Sequence, residues 1–152
     1  MTPFKRHILK EQLGQVLLQR GVITNQQLSE ALQIQKEQGG LLGEILTRLG
    51  FTKEEDIAQA LAIQHDLPYL PLDNYEVDTE LVKLVPETLA RKYYLLPVDK
   101  MGDILTVVMA NPMDENAIRE LEQRTKCKIE VFVATYTEIK EAIQRLYVQS
   151  KP

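Results

Sequence analysis

The sequence predicts an α+β protein: an N-terminal four-helix module of two helix-turn-helix repeats, then a small three-stranded sheet with packed helices. Three observations carry this expectation. A stretch opening "LGQVLLQRG" at Leu13 is written again as "LGEILTRLG" at Leu42, and the two run on to "ALQIQ" and "ALAIQ". The apolar residues of both stretches recur at helical spacing. From Leu67 onward the texture turns short, proline-broken and β-leaning, with period-two alternation in "CKIEVFVA". The expected division is a helical repeat subdomain over 1–66 and a small α/β subdomain over 67–152.

Leu13–Gln35 aligns with Leu42–Gln64 without a gap, at an offset of 29. The identical pairs are Leu13/Leu42, Gly14/Gly43, Leu17/Leu46, Gly21/Gly50, Ala31/Ala60, Leu32/Leu61, Ile34/Ile63 and Gln35/Gln64. Repetition at a fixed offset marks one supersecondary unit used twice. Leu13, Val16, Leu17 and Arg20 follow the i, i+3, i+4, i+7 rhythm, and the stem of Arg20 can extend the stripe. Gly21 stands where a left-handed C-terminal residue is expected. Thr24 and Gln27 then read as a capping box, and Thr52 with Glu55 reads as its repeat. The second helix carries Leu28, Ala31, Leu32 and Gln35 on one side until Gly39–Gly40. Its counterpart carries Ile57, Ala60, Leu61 and Gln64 until Pro68. Two such hairpins should pack face to face with pseudo-twofold character. Gly14 and Gly43 sit just inside helix starts, where glycine costs about 1 kcal/mol relative to alanine. Close helix packing explains them simply; a backbone approached by a ligand, or amides offered to an anion, is the functional alternative.

In the second half "LPYLPLDNYEVD" reads as a linker with an edge strand, and "DTELVKLVPETLARKYY" as two short helical segments with Pro86 at a helix start. "YLLPVDK" and "DILTVVMA" across "MGD" form a hairpin. "NPMDENAIRELEQRTK" is a helix that Asn111 can cap, with Ile118 and Leu121 facing inward. "CKIEVFVA" is the third strand. "TYTEIKEAIQRLY" is the last helix, with Ile139, Ala142, Ile143 and Leu146 on one face.

Composition narrows the chemistry. The chain has 152 residues, 44% apolar and 26% charged, with a formal net charge of −4. That is ordinary globular composition, and the charge disfavours nucleic acid, whose binding draws on cation–phosphate contacts. The outline of a helix-turn-helix is present, but "KEEDIAQALAIQ" would present acids to phosphate. The single Cys127 rules out an intrachain disulfide and reads as a buried structural thiol in a reducing compartment. The longest apolar run, "ILTVVMA", falls far short of the roughly 20 residues that span a bilayer, and "MTPFKRHILK" lacks the apolar core of a secretory signal. His7 and His65 lie far apart without metal-ligand spacing, and His65 fits the C-terminal end of a helix dipole. Neither a phosphate-binding loop GxxxxGK[ST] nor a catalytic constellation is present, so the chain is not expected to be an enzyme.

The doubled "LGxxL…G…L/I…AL…Q", followed by "LVPETLARKYYLLPV…GDILTVVMANPMDENAIRELEQRTKCKIEVFVAT…EIKEAIQRLY", resembles the N-terminal domain of type II secretion and type IV pilus assembly ATPases. The resemblance runs from about Gln12 to Tyr147. It implies a cytoplasmic, non-catalytic module that works with an ATPase motor domain. Such a module docks it on inner-membrane assembly proteins, so any membrane association is peripheral, through partners. It requires no cofactor. In a subset of the family the two motifs also bind cyclic di-GMP. Carried over by resemblance, that site comprises Gln12, Leu13, Gly14, Leu17, Gly21 and Gln35, with Leu42, Gly43, Leu46, Gly50 and Gln64. In the subset each motif opens with arginine, whose planar cation can stack on guanine and meet phosphate charge. Here Gln12 and Leu41 stand in those slots, and Lys10 or Arg6 are the nearest substitutes. Two lost charge-assisted contacts at roughly 1.5–3 kcal/mol each predict weaker binding than in the arginine-bearing subset.

Overall fold

The structure, a computed structural model, describes residues 12–73 and 75–150, with side chains to Tyr147. The predicted start, "MTPFKRHILK" with His7, Arg6 and Lys10, lies outside the described residues. The chain divides into two compact units that meet between Leu67 and Pro68.

The first unit holds α1 (Leu13–Gln19), α2 (Asn25–Gln38), α3 (Leu42–Arg48) and α4 (Glu54–Gln64). Helix α1 packs on α4, and α2 on α3, while α1 and α3 also touch. Exchanging the repeats maps the α1–α4 contact onto the α3–α2 contact, which is the pseudo-twofold the doubled sequence predicts. Val16, Leu17, Ile23, Leu28 and Ala31 from one repeat and Ile45, Leu46 and Ala60 from the other form the core. Leu17 and Leu46, at equivalent positions, are both fully buried.

Both short helices end alike. The Val22 N–H donates to the Leu17 carbonyl and the Gly21 N–H to the Leu18 carbonyl, each at 3.0 Å. Phe51 and Gly50 repeat the pattern on Leu46 and Thr47, again at 3.0 Å. Gly21 and Gly50 have φ of +71° and +79°, the left-handed residue that closes a Schellman turn.

The cap on α2 is as expected. The Gln27 N–H donates to Thr24 Oγ1 at 3.1 Å, and the Thr24 N–H to Gln27 Oε1 at 2.9 Å. The expected second box, Thr52 with Glu55, is corrected. Helix α4 starts one residue later, with Lys53 as its flanking residue and Asp56 Oδ2 accepting from the Lys53 N–H at 3.2 Å. Thr52 instead occupies the buried place equivalent to Ile23, with its hydroxyl 3.4 Å from that of Thr47. Leu32 also departs from expectation: it is 44% exposed. The face turned to the core runs through Leu28, Ala31 and Ile34 instead.

The second unit holds α5 (Thr79–Val82), α6 (Glu87–Tyr93), β1 (Leu95–Met101), β2 (Ile104–Met109), α7 (Glu115–Thr125), β3 (Lys128–Val133) and α8 (Tyr136–Ser150). The sheet order is β1-β2-β3. Strands β1 and β2 pair antiparallel across a short hairpin. Helix α7 is the crossover that lets β3 run parallel to β2. Helix α8 lies on β1 and β2, and Ile139, Ala142, Ile143 and Leu146 join the core there.

Three local expectations change in this unit. Pro86 flanks α6 instead of opening it, so its missing N–H falls one residue before the first turn. Asn111 caps no helix: its Oδ1 accepts from the Met113 N–H at 3.1 Å, and Asp114 caps α7 through the Ala117 N–H at 3.2 Å. The predicted edge strand shrinks to one parallel bridge, Tyr69 to Val133. There the Val133 N–H donates to the Pro68 carbonyl and the Leu70 N–H to the Val133 carbonyl, both at 2.8 Å. Pro68 and Pro71 supply no N–H, which stops the pairing from spreading.

Candidate functional site

Each repeat enters its first helix through one extended residue. Gln12 has φ −71° and ψ 150°; Leu41 has φ −86° and ψ 135°. The backbones match because each carbonyl starts a helix, accepting from Val16 N–H at 3.2 Å or Ile45 N–H at 3.1 Å. Both side chains face solvent, Leu41 at 54% exposure. The local geometry is thus repeated while its chemistry is not: one position can hydrogen-bond and the other cannot.

The next residues turn inward. Leu13 and Leu42 are half-buried, and Gly14 and Gly43 are buried. A methyl group on Gly14 would lie 2.8 Å from Leu28 Cδ1, and one on Gly43 would lie 2.8 Å from Ile57 Cγ2. Leu28 and Ile57 are themselves equivalent positions, so glycine is where the second helix of each hairpin crosses the first. Leu13 Cδ2 lies 3.6 Å from the same point on Gly43, which brings the openings of the two motifs together. Leu17 and Leu46 have no exposed surface, so a ligand reaches them only if the bundle parts.

The closing glutamines are half-buried at helix ends. Gln35 donates from Nε2 to the Gly40 carbonyl at 3.1 Å. Gln64 precedes a backbone closure in which the Leu67 N–H donates to the Ala62 carbonyl at 2.8 Å. The surface positions of the candidate set are therefore Gln12, Gly21 and Gly50, with Leu13, Leu42, Gln35 and Gln64 half-covered. Outside the motif positions, Leu49 is 37% and Ile63 53% exposed. Leu49 stands at the place equivalent to Arg20, whose Nη2 donates to Gln59 Oε1 at 3.2 Å. Among the described residues no group of His, Cys, Asp and Glu side chains is placed to hold a metal. Cys127 is buried and its Sγ donates to the Thr125 carbonyl at 3.4 Å.

A pseudo-twofold helical unit followed by a three-stranded mixed sheet with flanking helices is the architecture of N-terminal domains of secretion and pilus-assembly ATPases. The chain belongs to the MshEN domain family, whose sequence profile matches residues 65–152. A solved structure of MshE with cdg shares 33% of its sequence at a TM-score of 0.80, covering 90% of this chain and 99% of that one. That match is too long to rest on the second unit alone, so it reaches into the repeats. The type IV pilus assembly ATPase PilB of Myxococcus xanthus is 33% identical over 140 residues, covering 92% of this chain and 25% of PilB. Type II secretion system protein E of Xanthomonas campestris is 28% identical over 143 residues, again covering 90% of this chain and 25% of the relative. The chain thus spans about a quarter of these curated relatives. Among the described residues no helix is long and apolar enough to cross a membrane.

Proposed function

We propose that this chain is a docking and regulatory domain of a secretion or type IV pilus assembly ATPase system, joining a motor to inner-membrane assembly proteins from the cytoplasmic side. One observation supports the reading: over 140 residues the chain is 33% identical to the type IV pilus assembly ATPase PilB. Affinity capture with the cytoplasmic region of an inner-membrane assembly protein tests it. Stoichiometric retention of the chain supports docking, and no retention at concentrations of tens of micromolar overturns it.

A second reading is favoured by the MshE structure with cdg, that is cyclic di-GMP. In this reading the two motifs take the two halves of the dinucleotide. Gln35 and Gln64 read base edges, the Leu13 and Leu42 surfaces pack on the bases, and Gly14 and Gly43 keep the helices close. Gln12 and Leu41 stand where arginines would meet the phosphates, so affinity is expected to be weaker than an arginine pair would give. Calorimetric titration with cyclic di-GMP decides this. Saturable binding that is lost in the Gln35→Ala, Gln64→Ala double variant supports the site, and no heat at millimolar ligand removes it.

A further inference from the structure

The two repeats end differently. Helix α2 stops at Gly39 and Gly40, whose φ values are +75° and +99°. Glycine adopts this region freely, whereas other residues are strained there. Only Ile45 Cδ1, 4.0 Å away, would come near a methyl group on Gly40. At the joint between the repeats, glycine conformation and hydrogen bonds therefore set the shape. One of those bonds is the donation from Gln35 Nε2 to the Gly40 carbonyl at 3.1 Å. The equivalent joint after Gln64 closes through its backbone, with Asp66 at φ +53°.

A carboxamide has two N–H donors and one carbonyl acceptor. The Gly40 carbonyl takes one donor and thereby fixes the plane of the Gln35 amide. The amide keeps a second N–H and Oε1, a donor and an acceptor of the kinds that a nucleobase edge presents partners for. A side chain fixed in this way loses less rotamer entropy on binding than a free one.

We propose that the Gly40 carbonyl is a positioning group that pre-orients the Gln35 amide for a base, coupling the first half-site to the joint between the repeats. This rests on the reading that the repeated motifs take a cyclic dinucleotide. It makes the half-sites unequal: the first is pre-formed and tied to the joint from which α3 starts, so its occupation is felt by the second repeat.

The experiment is a double-mutant cycle on the full chain, with cyclic di-GMP affinity as one readout and side-chain amide NMR of Gln35 as the other. Gly40→Ala strains the joint while leaving Gln35 in place, and Gln35→Glu removes the donor. Gly40→Ala is expected to weaken binding about 2- to 10-fold, the range of one modest hydrogen bond. It should weaken binding no further once Gln35→Glu is present, because Gly40 acts through Gln35. Additive losses would overturn the proposal, since they would make the joint merely structural. So would unchanged affinity in Gly40→Ala. If the wild-type chain binds no cyclic di-GMP, the ligand reading fails, and NMR still decides the positioning claim. An ordered Gln35 side-chain amide that becomes mobile in Gly40→Ala supports it; an amide equally mobile in both overturns it.

Discussion

Gly43 and Ile57 meet so closely that a methyl group on the glycine would lie 2.8 Å from Ile57 Cγ2. The equivalent pair, Gly14 and Leu28, shows the same 2.8 Å spacing to Leu28 Cδ1. The consequences differ. Cδ1 is the swinging end of a leucine, whereas Cγ2 is fixed to the branched Cβ of isoleucine. Alanine gains about 1 kcal/mol of helix propensity over glycine at either place. Gly14→Ala is therefore expected to be near neutral, while Gly43→Ala destabilises the first unit by about 1–3 kcal/mol through overpacking. Urea unfolding followed by helical circular dichroism checks this, and equal midpoints for the two variants would contradict it.

Gly21 and Gly50 should behave as twins. Both carry a left-handed φ and both have open space where a side chain would go. Alanine at either position costs about 1–2 kcal/mol of backbone strain. The two single variants are expected to lose the same stability within error in thermal melts. A large difference between them would deny the equivalence of the repeats.

Glu138 ties the segment entering the second unit to α8. Its carboxylate accepts from the Tyr69 hydroxyl at 3.1 Å, the Leu72 N–H at 2.7 Å and the Thr135 N–H at 3.3 Å. Charge-assisted bonds to a part-buried carboxylate are worth about 1.5–3 kcal/mol each in favourable cases, and the Leu72 bond is the shortest of the three. Glu138→Ala is expected to cost about 2–4 kcal/mol in all and to expose residues 68–72 to limited proteolysis. Cleavage there no faster than in the wild type would contradict the assignment.

Tyr147 is buried, and its hydroxyl donates to the Val85 carbonyl at 2.7 Å. Burial, with a smaller contribution from Glu87, pushes its pKa well above the ordinary tyrosine range. The sign follows from linkage. The unfolded chain releases this proton near pH 10 and the folded chain does not, so the folded state is favoured below that pH and loses ground as pH rises above it. Tyr147→Phe should cost about 1–2 kcal/mol at neutral pH, because the Val85 carbonyl loses its donor. It should also flatten the alkaline decline in stability. A decline of unchanged steepness in the variant would show that another group causes it.

The doubled pattern made the helical unit legible because its apolar positions, glycine stops and offset of 29 all agree. The misplaced second cap came from leaving that offset. Thr52 and Glu55 imitate a capping box, yet the true equivalents of Thr24 and Gln27 are Lys53 and Asp56, and only the Asp56 half of the device survives. Asn111 misled for a related reason, since asparagine closes a tight turn as readily as it caps a helix, and Asp114 lay three residues on. At the candidate site the shared residues were visible, but their division was not. Leu17 and Leu46 belong to the core, while the bond from Gln35 to Gly40 depends on a loop shape that no residue pattern announces.

The most direct measurement is a nitrogen-15 NMR titration of the 152-residue chain with cyclic di-GMP, read as pairs of residues 29 apart. Joint movement of the Gly14 and Gly43 resonances, and of Gln35 and Gln64, is the predicted result: one ligand held by two copies of the same unit. Shifts confined to a single repeat, or centred on the sheet of the second unit, would contradict it.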